Sequence, residues 1–201
     1  SPVVEAIRKY PKRIMLAAGA FLSVQVTFYI LIAFIIAYGV TAPELALSRD
    51  TMLTAVLIAA AIMVPSQFYF SGLSDRVGRK QIYRWGAILT GLWGFALFPL
   101  INTGEPLMIV IAVTLGLTFL GMQYGPQAAY FTELFTTEVR YSGASLGYQI
   151  GAILGGALAP TIAVLLWNEL GIFYVSVYIL VAAILTLLSL SALEETKGRT
   201  L

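Results

Sequence analysis

The sequence predicts an all-α membrane protein, a bundle of six transmembrane helices, and three observations predict it. First, hydrophobic residues are 59% of the 201 and charged ones 11%, with a mean hydropathy of +0.88, against roughly 25% charged in a soluble domain. Second, all 22 charges crowd together, so that 153 residues lie in six charge-free windows: 14–43, 51–74, 85–104, 106–132, 141–168 and 170–193. A helix needs about 20 mostly apolar residues to cross the hydrocarbon core. Each window therefore holds one crossing and none holds two. Third, the runs are solidly apolar, whereas strands of a membrane barrel alternate over segments of about ten residues.

Residues 1–13 form a basic segment. Val3, Val4, Ile7 and Tyr10 recur at helical spacing, with Glu5, Arg8, Lys9 and Lys12 elsewhere. This reads either as a short helix in the membrane interface or as a basic stop before the first span. The bundle occupies 14–193, with spans expected at 14–38, 51–71, 84–101, 107–131, 142–166 and 172–193, and residues 194–201 form a tail. Connections 39–50, 102–106 and 167–171 are short and carry only Arg49 as a cation. The other eleven Lys and Arg lie on the opposite side, in the N-terminal segment, around Arg76, Arg79, Lys80 and Arg84, at Arg140 and in the tail. Cations mark the cytoplasmic side, so both termini are expected in the cytoplasm. The expected location is a plasma (bacterial inner) membrane. The first span is too long for a signal peptide and has no small-residue cleavage site. A start at Ser1 reads as a fragment or a processed product.

Several chemistries are excluded. Cys and His are absent, which removes disulfides, thiol chemistry, Cys/His zinc sites and His-based triads. A net charge of +2 is too small to argue for nucleic acid. The charge-free spans hold no carboxylate dyad, nucleophile–base pair or metal cluster. No enzyme, metal or cofactor is expected.

Uncharged polar residues in the spans are the candidates for binding. Gln25 and Tyr29 share a face of the first span. Gln123 and Gln127 share one in the fourth, with Tyr124 beside them, and Tyr148 and Gln149 lie in the fifth. An unpaired amide in lipid is costly, so each marks either a wet cavity or a hydrogen bond to another helix. Gly143, Gly147, Gly151 and Gly155 recur every four residues, a stripe that lets a neighbouring helix approach closely. Trp85, Trp93 and Trp167 read as interface anchors or lipid-facing residues.

The most specific motif is Ser71-Gly-Leu-Ser-Asp75-Arg76-Val-Gly78-Arg79-Lys80. It resembles the cytoplasmic loop motif of the major facilitator superfamily, with Ser71 in place of the first Gly. Glu133-Leu-Phe-Thr-Thr-Glu-Val-Arg140-Tyr-Ser-Gly143 is similar to the loop of that family's second half, with Thr136 where Pro is expected. The glycine-rich run from Ser142 to Pro160 resembles the eleventh helix of the metabolite:proton symporter family. Glu194-Glu-Thr-Lys-Gly resembles the tail after its twelfth helix, with Glu194 in place of Pro. The resemblance covers essentially the whole chain and identifies its spans as helices seven to twelve.

The resemblance implies the C-terminal half of a secondary transporter that moves a small polar metabolite, an organic acid or zwitterion, by alternating access. Its partners would be that substrate, the lipid bilayer, the N-terminal six-helix half and protons. Relatives carry an Arg and a Glu-Asn pair in helix seven, where this chain has Phe21, Val24 and Gln25, so proton coupling would reside in the N-terminal half. The alternatives are a half-size transporter working as a parallel homodimer, and a facilitator or exporter without proton coupling. Asp75, Arg76, Gly78, Arg79, Lys80, Glu133 and Arg140 would form a cytoplasmic gate. In it Asp75 would dock against the start of helix eleven, Arg79 or Arg84 would meet Glu133, and Arg140 would meet Asp75 or Glu138.

Overall fold

A computed structural model describes residues 1–199. Helix α1 is Pro2–Lys9. Six further helices are long and apolar enough to cross a membrane: α2 (Pro11–Thr41), α3 (Arg49–Val77), α4 (Arg79–Asn102), α5 (Pro106–Glu133), α6 (Arg140–Leu170) and α7 (Phe173–Ser191).

Most of these helices overrun the charge-free windows, because their ends are set by local stops rather than by hydropathy. Pro11 and Pro106 stand in the first turns of α2 and α5, where a missing N–H costs nothing. Ser48 caps α3, its hydroxyl accepting the Thr51 N–H at 3.1 Å. Gly78, at φ 135°, separates α3 from α4, and Gly171, at φ 103°, ends α6. Helix α5 stops at Glu133 without the expected Pro, and a turn closed by Val139 N–H to Thr136 C=O (3.1 Å) leads into α6.

The helices form an arc. Helix α5 packs against α3 and α4, α4 against α7, α7 against α2, and α2 against α6. The ends of the arc are the most open: 17% of the apolar stretch of α3 and 28% of that of α6 are buried, against 61% for α2.

Close approach rests on small residues, as expected where lipid removes most of the hydrophobic drive between helices. The glycine row of α6 lies on α2. A Cβ on Gly147 would stand 2.8 Å from Ala17 Cβ, one on Gly151 2.7 Å from Phe21 Cβ, and one on Gly155 3.0 Å from Gln25 Cβ. Gly143, the first of the row, meets the Phe135 ring. At Ser71, where the family motif has Gly, it is Gly125 on α5 that brings the two backbones together: a Cβ there would stand 2.8 Å from Ser71 N. Helices α2 and α6 each contain a π-helical turn, at Ile30–Phe34 and Ala152–Ala157. Such turns leave part of the backbone ladder mispaired.

Two tryptophans differ from the sequence expectation. Trp93 is half-buried, and its Nε1 donates to the Ala112 carbonyl at 2.9 Å. Trp167 packs on Tyr38, ring centres 4.9 Å apart. Trp85 is exposed.

Candidate functional site

The polar residues of the spans separate into two groups. Gln127, Tyr148 and Gln149 come together in a groove of about 300 Å³ between α5 and α6. Its floor is aromatic: the Phe21 ring centre lies 4.1 Å from that of Phe131 and 5.2 Å from that of Tyr148. Tyr148 and Gln149 are exposed, and Gln127 Oε1 has no hydrogen-bond partner among the described residues. Phe28 links Tyr29 and Tyr124 edge-to-face, at 5.5 and 5.9 Å. The groove holds amides and aromatic rings and no ionic side chain. It can offer hydrogen bonds and ring faces, but no counter-charge.

Gln25 and Gln123 do not line this groove. Gln123 is fully buried, its Nε2 3.3 Å from Thr90 Oγ1 and 3.5 Å from Ser23 Oγ. Of the two readings open for a membrane amide, it takes the interhelical hydrogen bond. Sequence reasoning missed its neighbours. Thr186 on α7 donates to the Gly19 carbonyl at 3.0 Å and accepts the Ser23 N–H at 2.9 Å, tying α7 to the backbone of α2. Gln25 is 3% exposed and lies against Gly155 and Gly156, with no partner for its Nε2 among the described residues. Phe21 and Val24 are buried.

The second locus is the cluster where α3, α4, α5 and the tail converge. Arg79 Nε donates to both oxygens of Glu133, at 2.9 and 2.8 Å, and its NH1 donates to Asp75 Oδ1 at 2.7 Å. The Arg79 and Glu133 side chains are 16% and 7% exposed. Glu133 also accepts from the Thr196 hydroxyl. Glu195 accepts the backbone N–H groups of Arg79 and Lys80 at 3.0 and 3.1 Å. It thereby caps α4 from the tail, placing a carboxylate at the positive end of the helix. This cap demands glycine at 78, where φ is positive and a Cβ would stand 2.7 Å from Glu195 Oε2. Lys80 Nζ donates to the Leu193 carbonyl and Lys197 Nζ to that of Arg76.

Glu194 bridges Arg13 at 2.8 Å and Arg199 at 2.6 Å. The hydrogen bond from Arg199 holds its carboxyl below the ordinary carboxylate range, with help from the charge of Arg13 and against partial burial.

Of the expected gate contacts, the one to Glu133 is made by Arg79, and the other two are different. Arg84 donates to Gln81 at 2.6 Å, not to Glu133. Arg140 pairs with neither Asp75 nor Glu138, and its Nε has no partner among the described residues. Asp75 is not docked on the start of α6: α3 packs on α5, and the carboxylate, 59% exposed, takes Arg79. Arg76 is exposed. Glu195 and Thr196 are the members that sequence reasoning missed. Their signal was the tail motif, whose carboxylates have no fixed partner until the tail folds back.

The architecture is that of a multi-pass membrane protein, and the sequence pattern described as the Major Facilitator Superfamily matches residues 17–200. The chain belongs to the major facilitator superfamily of membrane transporters. Among its relatives in Escherichia coli is the inner membrane metabolite transport protein YhjE, 34% identical over 100% of this chain and 50% of that protein. The shikimate transporter is 29% identical over 86% of this chain and 41% of its own length. The proline/betaine transporter is 27% identical over 98% and 39%. The chain spans about half the length of the curated relatives it matches.

Proposed function

We propose that this chain is the C-terminal half of a twelve-helix secondary transporter. It would carry a small polar metabolite across a bacterial inner membrane, with both ends of the chain in the cytoplasm. The observation that carries this reading is the groove between α5 and α6, an uncharged wall of amides and aromatic rings that opens at the α6 end of the arc. A solute that this half alone can satisfy is uncharged or zwitterionic, its polar groups meeting Gln127 and Gln149 and its apolar or ammonium part meeting rings. A substrate carboxylate would find its cation in the other half, where proton coupling would also reside. The names of relatives, for shikimate and for proline and betaine, support a small polar solute.

The Arg79 cluster is the candidate cytoplasmic gate. It ties α3, α4, α5 and the tail into one block that the partner half can close against. Only contacts that differ between the two open states bias alternation.

The test is uptake by the full-length protein in vesicles, for a panel of neutral, zwitterionic and anionic solutes, with and without a proton gradient. Saturable uptake of a small polar solute is expected. Failure across the panel, with the protein correctly inserted, overturns the reading. Orientation is checked with cysteines at exposed positions. Thr103→Cys and Asn168→Cys should react with an impermeant thiol reagent outside intact cells, and Thr137→Cys should not. The reverse pattern overturns the topology.

A further inference from the structure

A second cavity, of about 390 Å³, lies where α1 turns into α2 and shares no lining residue with the polar groove. Lys9, Lys12 and Arg13 line it, with Leu16 and Leu193 as apolar wall. Three features favour an anion there. Lys12 is exposed and enters no ion pair among the described residues. The first turn of α2 has no side-chain cap and no acidic residue, so its free N–H groups take no side-chain partner. Glu194, the acidic residue of the lining, is already held by Arg13 and Arg199. A further feature favours a lipid. The cavity sits at the mouth of a membrane-crossing helix, with Met15 exposed one turn in and Val3, Val4 and Ile7 exposed on α1.

We infer that this cavity seats an anionic phospholipid. The headgroup phosphate lies between Lys12, Lys9 and the first turn of α2, and the acyl chains run along Leu16 and Met15. Basic recesses at helix ends beside a bilayer recruit anionic headgroups in this way. Lys9 is shared with Glu5, which makes Lys12 the principal contact. The site is independent of the transported solute and of which side of the membrane it faces.

The test titrates phosphatidylglycerol, and separately phosphatidylcholine, into the detergent-solubilised full-length protein and reads bound lipid by native mass spectrometry. The first phosphatidylglycerol is expected to bind more tightly than phosphatidylcholine. Lys12→Gln should weaken it roughly fivefold, the equivalent of about 1 kcal/mol for one cation near the surface. Arg49→Gln, at the far ends of the helices, should leave it unchanged. Inorganic phosphate at the same concentration should not displace the lipid. Equal binding of the two lipids overturns the proposal, as does indifference to Lys12→Gln. Displacement by phosphate makes this a free-anion site and overturns it too. A second copy of the test with Lys9→Gln should show a smaller loss, and a loss as large as that of Lys12 would contradict the assigned geometry. None of these readouts depends on uptake, so failure here leaves the transport reading untouched.

Discussion

At the scale of single residues, Arg79 and Glu133 carry the charged cluster that joins α3, α4, α5 and the tail. Both side chains are largely out of solvent, so losing one strands the other. Breaking a buried pair costs roughly 3–5 kcal/mol, and the partial exposure of Arg79 sets the expectation at the low end. Arg79→Met should therefore lower the thermal midpoint in micelles, and adding Glu133→Leu should recover much of the loss. If the double variant is worse than the single one, the pair is not coupled. Glu194 gives a pH dependence. Its folded pKa is depressed, so its stabilisation is complete above the ordinary carboxylate value and is lost as pH falls through the depressed one. A spin label at Lys197→Cys should gain mobility on acidification, and Glu194→Gln should be mobile at neutral pH already. The acid and base of this cluster were legible in the loop motif. Their tail partners were not, because Glu195 reaches Arg79 across 116 positions and nothing local in a sequence specifies such a meeting.

At the scale of elements, the six spans could be read because charges cannot sit in hydrocarbon. Their ends could not, because caps and glycines ignore hydropathy. The glycine row of α6 was legible as a packing stripe, and the fold supplies the surface it packs on, α2. Gly151→Val would bring a Cβ within 2.7 Å of Phe21 Cβ and 3.0 Å of the Ala18 carbonyl oxygen. Overpacking of this kind costs about 1–3 kcal/mol, so the folded yield and thermal midpoint should drop. Gly72→Ala meets nothing within 4 Å and should behave as wild type. Equal behaviour of the two variants would remove the seam from the account. The polar residues were harder to read. Gln25, Gln123 and Gln127 look alike in an apolar run, and only the rotation of each helix decides whether an amide meets a hydroxyl, a glycine or open space.

At the scale of the whole molecule, the arc leaves one wall of a cleft formed by α5 and α6, and this wall is where the account places the solute. The assignment divides the glutamines into two kinds. Gln127 and Gln149 belong to the cleft, whereas Gln123 belongs to the bundle. The decisive measurement is the equilibrium affinity of the full-length protein for its transported solute, compared across Gln127→Ala, Gln149→Ala and Gln123→Ala. One hydrogen bond to a neutral partner is worth about 0.5–1.5 kcal/mol, so the first two should each weaken binding by roughly two- to twelvefold with the thermal midpoint unchanged. Gln123→Ala should lower the midpoint and leave affinity as it was. Loss of affinity in Gln123→Ala alone, with Gln127→Ala and Gln149→Ala binding as wild type, would contradict the account.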